Sequence, residues 1–129
     1  MNFQRFEHVN QICRDLDRTQ HFYQTLFPEW TVRAEGEHQG WRWRHLGDDH
    51  YYLALNQPPV GTVTDPATGH IDHIGLVIRD ASAMQARLDQ HQIPYEVYHS
   101  PETTLRLYVD DPDGTQVELV AYQPDYPLR

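Results

Sequence analysis

A chain of 129 residues fits one compact unit, or two very small modules sharing a core, and neither half can bury much apolar surface alone. A net charge of -9, with only ten scattered Lys and Arg, argues against nucleic acid, whose phosphates are held by clustered cations. No apolar run approaches the roughly 20 residues of a membrane helix, and mean hydropathy is -0.74, yet 12% aromatic content keeps a core feasible because each ring buries a large area.

The first predicted strand covers residues 6–13, which are rich in β-formers and lead into Arg14-Asp15. The first seven residues have no apolar signal core and carry an early acid, Glu7. A single cysteine, Cys13, excludes an intramolecular disulfide, so a soluble, cytoplasmic protein is expected. Asp15 is a predicted helix N-cap, its carboxylate accepting the orphan N–H groups of the first turn. Leu16, Thr19, Tyr23 and Leu26 then recur at helical spacing, with Phe22 and Phe27 widening the apolar face, and Pro28 marks where the helix has ended. Three strands are predicted next, at 30–36, 41–46 and 51–56, separated by Gly40 and by Gly47-Asp48-Asp49.

Pro58, Pro59, Gly61, Pro66 and Gly69 mark a linker over 58–69. Beyond it the same order returns. A strand is predicted at 71–78, an N-cap at Asp80, and a weaker apolar helix face at Ala81, Met84 and Leu88, stopped before Pro94. Strands are predicted at 95–99, 104–109 and 115–122. Between the last two, Asp111-Pro112-Asp113-Gly114 is turn chemistry, in which proline presets φ and glycine takes the left-handed position. The tail, 124–129, contains Pro124 and Pro127 and is expected to be irregular.

The two halves also correspond residue by residue. A shift of 65 places His8 on His73, Arg14 on Arg79, Asp15 on Asp80 and Gln20 on Gln85. A shift of 64 later places Leu53 on Val117, Leu55 on Leu119 and Asp49 on Asp113. Identities that coincide with matching caps and turns point to duplication. The expectation is an α+β fold of two βαβββ modules, about 4–57 and about 70–123, in one domain over 1–129. Their strands are expected to form a curved, mostly antiparallel sheet enclosing a concave metal or ligand trough. An open sheet of this kind leaves edges and apolar surface exposed, so a homodimer is expected.

Strand alternation then sorts the polar residues. His8 shares a face with Phe6, Asn10 and Ile12, and His73 shares the equivalent face with Ile71, Gly75 and Val77. On the last strand Val117, Leu119 and Ala121 read as core against the helix, which turns Glu118 to the opposite side. If the modules pair about a pseudo-two-fold, His8, His73 and Glu118 meet in one trough. Two imidazoles and a carboxylate form a facial metal triad with positions left open for substrate. A lone strand histidine is ordinarily structural and a lone strand carboxylate ordinarily solvated; what lifts these three is that the two histidines occupy equivalent points of a repeat and Glu118 lies on the strand such a fold needs. Asn10 can orient substrate, as can Tyr52 and Asn56, which flank Ala54. Arg106 and Tyr108 share a face with Thr104, where Arg106 can bind an anionic group and Tyr108 can donate a proton. Trp41 and Trp43 alternate with Arg42 and Arg44, and alternation does not say which pair faces the helix. His45 and His50 can serve as acid–base groups near a metal; His21, His38, His70, His91 and His99 read as solvated.

Phe6-Glu7-His8-Val9 with Arg14-Asp15-Leu16 and Phe22-Tyr23-Gln24-Thr25-Leu26 resembles the opening of the vicinal-oxygen-chelate superfamily, which holds glyoxalases, bleomycin-resistance proteins and extradiol dioxygenases. His70-Ile71-Asp72-His73-Ile74-Gly75-Leu76 resembles the start of its second module, and Asp111-Pro112-Asp113-Gly114-Thr115-Gln116-Val117-Glu118-Leu119 its ending. The resemblance implies His8, His73 and Glu118 as ligands of a divalent metal (Fe2+, Mn2+, Zn2+ or Ni2+) that chelates a small-molecule substrate through two oxygens. Glyoxalase I itself has a fourth ligand, a glutamate, where this chain has Ala54, so that activity is disfavoured and a dioxygenase, lyase or transferase reaction is expected instead. The three-ligand pattern is similar to extradiol dioxygenases and fosfomycin-resistance thiol transferases, although 99–104 shows no lysine and little of the latter's potassium loop. The rival expectation is a non-catalytic dimer of the bleomycin-resistance type, binding a drug or metabolite through Trp41, Trp43, Tyr51, Tyr52 and Tyr108.

Overall fold

The computed structural model describes residue 2, residues 6–62, residue 71 and residues 73–126. Residues 63–69 of the expected linker, His70, Asp72 and residues 127–129 of the expected tail lie outside the described residues. The chain divides into two compact units, Met1–Pro66 and Ala67–Arg129.

The first unit contains β1 (His8–Ile12), α1 (Leu16–Leu26), β2 (Thr31–His38), β3 (Trp41–Gly47) and β4 (Tyr52–Gln57). The second contains β5 (His73–Val77), α2 (Ala81–Gln90), β6 (Glu96–Tyr98), β7 (Thr103–Asp110) and β8 (Gln116–Tyr122). Each unit has its own four-stranded sheet, in the order β1-β4-β3-β2 or β5-β8-β7-β6. The first strand runs parallel to the last, and the other pairs are antiparallel. A parallel pair needs a crossover, and the helix supplies it in each unit.

Local chemistry accounts for the boundaries. Asp15 accepts from the N–H of Arg18 at 3.1 Å, and Asp80 from the N–H of Ala83 at 2.9 Å, so both predicted caps are made. α1 buries Leu16, Thr19, Tyr23 and Leu26, while α2 buries only Met84 and Leu88. Ala81 is half-buried. β2 continues to His38, past the expected end at Gly36, because the reversal sits at Gln39-Gly40, both with positive φ (50° and 84°). Two consecutive left-handed residues match the twist of a tight hairpin. β1 starts two residues later than expected, at His8, and β5 is described from His73.

The units also share a turn device. Asp48 accepts from the N–H groups of His50 and Tyr51 at 2.8 and 2.9 Å, just before β4. Asp111 accepts from Asp113 and Thr115, both at 2.9 Å, just before β8. Gly114 follows at φ 83°, the left-handed conformation expected of it.

Arg44 settles the alternation of β3. It is 7% exposed and donates to Asp17 at 2.8 Å and Gln20 at 2.6 Å, both on α1. Its Nε lies 3.8 Å from Glu35, beyond hydrogen-bond range. The Arg42/Arg44 side therefore faces the helix, and Trp41, Trp43 and His45 share the other face. Arg44→Ala is expected to cost about 1–3 kcal/mol, below the full penalty for breaking a buried pair because Asp17 stays solvated. Arg42→Ala, which loses only a 3.9 Å contact at the surface, is expected to change stability by about 0.5 kcal/mol or less. Urea denaturation of the two variants checks the contrast; equal losses would contradict the assigned face.

Candidate functional site

In the second unit the parallel register pairs His73 with Gln116 and Gly75 with Glu118. Glu118 thus lies diagonally across from His73, on the side of β8 opposite to the core residues Val117 and Leu119. Its Oε2 is 3.4 Å from Nε2 of His73. Its Oε1 accepts from Nη1 of Arg106 at 2.5 Å. Glu118 is only 8% exposed, and burying a carboxylate is costly without a matched cation, which Arg106 provides. Arg106 is itself held from three sides, since Nη2 donates to Glu102 at 2.9 Å and Nε to the hydroxyl of Ser100 at 3.2 Å. The guanidinium charge is therefore shared between two carboxylates. Both raise its pKa through their hydrogen bonds, Glu118 the more.

Tyr108 pairs with Glu118 across the β7–β8 ladder and packs edge-on against Tyr98, with ring centroids 5.1 Å apart. Burial, and then the negative charge of Glu118, hold its phenol above the ordinary value, so it stays protonated through the physiological range. Gly75 flanks Glu118 on the other side, and a Cβ built there would meet nothing within 4 Å. The carboxylate thus has an arginine and a phenol on one flank, open space on the other, and an imidazole diagonally beyond.

The first unit repeats the frame with different chemistry. Its register pairs His8 with Tyr52 and Asn10 with Ala54, so Ala54 holds the place that Glu118 holds in the second unit. Nδ1 of His8 is 2.8 Å from Glu7, which also accepts from the hydroxyl of Tyr52 at 3.1 Å. These bonds hold the Glu7 carboxyl below its usual range, that from His8 the more. A carboxylate at Nδ1 places the imidazole proton there and directs the lone pair to Nε2. Tyr52, on the strand between β1 and β3, stacks on His8 at 4.8 Å and on His45 at 4.5 Å. His45 in turn is 5.0 Å from Trp43, and burial, before the charge of His8, lowers its pKa, which keeps it neutral. Asn56 donates to Asn10 at 2.9 Å, so these two expected substrate contacts engage one another.

Within neither unit do three or more His, Cys, Asp or Glu side chains converge as a metal-holding group, among the described residues. The structure brings His73 and Glu118 together in the second unit; His8 belongs to the first. Alternation missed four site neighbours. Ser100 and Glu102 hold Arg106 from the loop before β7, and Glu7 precedes β1, so no strand period flags them. Arg33 would share the helix face with Glu35 and Glu37 under strict alternation. A β-bulge between Val32 and Ala34 breaks the count and turns Arg33 to the other side, its guanidinium carbon 4.4 Å from the Tyr52 ring centroid.

No helix of the described residues is long and apolar enough to cross a membrane. No curated protein sequence matches the chain. Solved structures do. A glyoxylase/bleomycin resistance protein/dioxygenase domain from Frankia sp. EAN1pec is 17% identical, with a TM-score of 0.79 over 95% of this chain and 100% of that one. The trypanothione-dependent glyoxalase I of Leishmania major is 22% identical, with a TM-score of 0.75 over 92% of this chain and 87% of that one. TnmS3, an antibiotic binding protein from Streptomyces sp. CB03234, is 18% identical, with a TM-score of 0.73 over 95% and 99%. At these identities the likeness shows the fold. The family profile described as Glyoxalase/Bleomycin resistance protein/Dioxygenase superfamily matches residues 5–119, and the chain belongs to that superfamily.

Proposed function

We propose that the chain is a divalent-metal-dependent enzyme of this superfamily, acting on a small molecule that chelates through two oxygens. The observation that carries the reading is the approach of His73 Nε2 to Glu118 Oε2 at 3.4 Å. Two donors each about 2.1 Å from one ion lie roughly 3.0–3.4 Å apart, so this pair fits adjacent positions on Fe2+, Mn2+, Zn2+ or Ni2+. His8 is the third donor in this reading. It is the repeat equivalent of His73, and Glu7 on its Nδ1 gives the carboxylate–histidine arrangement that orients metal-binding imidazoles. A bound ion would supply charge stabilisation to substrate oxygens or activate dioxygen.

The chain's own residues take the remaining roles. Arg106 holds Oε1 of Glu118 and so leaves Oε2 as the donor atom. Tyr108, kept protonated beside that carboxylate, can donate a proton to a developing oxyanion. Gly75 leaves room at the flank of Glu118. Asn10, Tyr52 and Asn56 contact substrate from the first module. Ala54 offers neither a ligand nor a base, so the glyoxalase I reaction is not the one proposed. In this reading residues 1–129 act as one domain that assembles as a homodimer.

A second reading, a non-catalytic binder of the bleomycin-resistance type, draws on the ring row Trp43–His45–Tyr52–His8 in the first module. Ligand affinity that survives thorough chelation, with no turnover on metal reloading, would favour it.

Titrating chelated protein with Mn2+ and Zn2+ by calorimetry is expected to show about one site per chain. His73→Ala or Glu118→Ala should weaken it by more than ~100-fold, and Glu7→Gln by ~10–100-fold. Equal metal affinity in all four proteins would remove the metal assignment. Phenol titration by NMR on tyrosine-labelled protein is expected to find Tyr108 deprotonating above the exposed tyrosines. In Glu118→Gln its midpoint should move down but not fully back, since burial remains; an unmoved midpoint would separate Tyr108 from Glu118. Sedimentation at micromolar concentration is expected to give a dimer, and a monomer would contradict the assembly.

A further inference from the structure

The first module separates its charges by face. Cross-strand partners share a side of the sheet, so Glu35 with Arg44 and Glu37 with Arg42 all lie on the α1 side. These are the only carboxylates that β1 to β4 contain. The opposite face presents His8, Asn10, His38, Trp41, Trp43, His45, Tyr52 and Asn56 across the same ladders, with Arg33 added by the bulge. In a chain of net charge -9, one sheet face carries an arginine, three histidines and a run of aromatic rings. Two acids lie near enough to feel the charge of Arg33: Glu7, which is engaged by His8 and Tyr52, and Asp48, whose carboxylate accepts from the N–H groups of His50 and Tyr51.

The rings form a surface. A Cβ built on Gly36 would fall 2.7 Å from Cζ2 of Trp43, so the glycine makes the space in which the indole lies flat across β2. From there the row continues through His45 and Tyr52 to His8 at centroid spacings of 5.0, 4.5 and 4.8 Å. Arg33 sits over Tyr52, so part of its ordering is done before any ligand arrives. Its planar fork can receive a carboxylate through two parallel hydrogen bonds.

We propose that this face binds a planar aromatic carboxylate, with the ligand's ring stacked on the Trp43–His45 row and its carboxylate paired with Arg33. The assignment names a substrate class for the proposed activity, but it stands on the first module alone and requires no metal. It is therefore tested on the chelated full-length protein, where its failure leaves the metal titration above untouched.

The probes are 2-naphthoate, its neutral isostere 2-naphthamide, and cyclohexanecarboxylate, each followed by calorimetry. Naphthoate is expected to bind roughly tenfold tighter than the amide, and cyclohexanecarboxylate more weakly than naphthoate by a similar factor. Arg33→Gln should erase the preference for naphthoate while leaving the amide's affinity unchanged, and Arg33→Lys should restore part of it. Trp43→Ala should weaken both naphthyl probes. Undetectable binding, equal affinity for naphthoate and naphthamide, or a naphthoate affinity unmoved by Arg33→Gln would each overturn the assignment. Arg33 is exposed, so its variants are expected to keep the parent circular dichroism and melting temperature.

Discussion

The parallel pairing of first and last strand in each module is the constraint from which the site follows. A parallel ladder cannot be closed by a tight turn, so each helix must lie between its partners in sequence and cover one face of the sheet. The other face is left to chemistry. In the second module that ladder sets His73 against Gln116 and so brings Glu118 within 3.4 Å of the imidazole. In the first it sets His8 against Tyr52 and brings Ala54 to the equivalent point. One rule of register thus positions both histidines, and the residue two places further along the last strand decides whether a carboxylate faces them.

Placing a carboxylate there has an energetic consequence. Glu118 lies in a sheet whose opposite face is core, with Val117 and Leu119 fully buried on either side. Charge is tolerated in such a position only where hydrogen bonds and an opposite charge offset the lost hydration. Arg106 does this through one carboxylate oxygen, and Glu102 and Ser100 in turn keep the guanidinium from swinging away. The other oxygen remains on the side of His73. Tyr108 shares the same environment and is held protonated by it. A single buried carboxylate therefore organises an arginine, a phenol and an imidazole.

The modules have kept a scaffold and exchanged its contents. Both retain the capped helix, the aspartate turn before the last strand, and the histidine at the start of the first strand. Where the second module has Glu118 with Arg106, the first has Ala54 with a stack of rings, and its buried arginine, Arg44, serves the helix instead. Alternation requires only that each side chain suit its face, so a duplicated frame can diverge in chemistry without altering its fold.

Residue order alone was enough for the duplication, both N-caps, the glycine turn at Gly114, the core stripe of α1, and the facing of His73 and Glu118 away from the helix. These features depend on spacings of two to four residues, and the physics that sets them is equally local. Tertiary structure decided which residues of β3 face α1, because Trp41/Trp43 and Arg42/Arg44 alternate with equal period and only the partners Asp17 and Gln20 distinguish them. It also decided that Arg106 is held by Glu118, Glu102 and Ser100, and that Arg33 crosses to the aromatic face. A bulge shifts every later residue by one, and its position depends on the neighbouring strand's register, which a strand's own sequence does not encode.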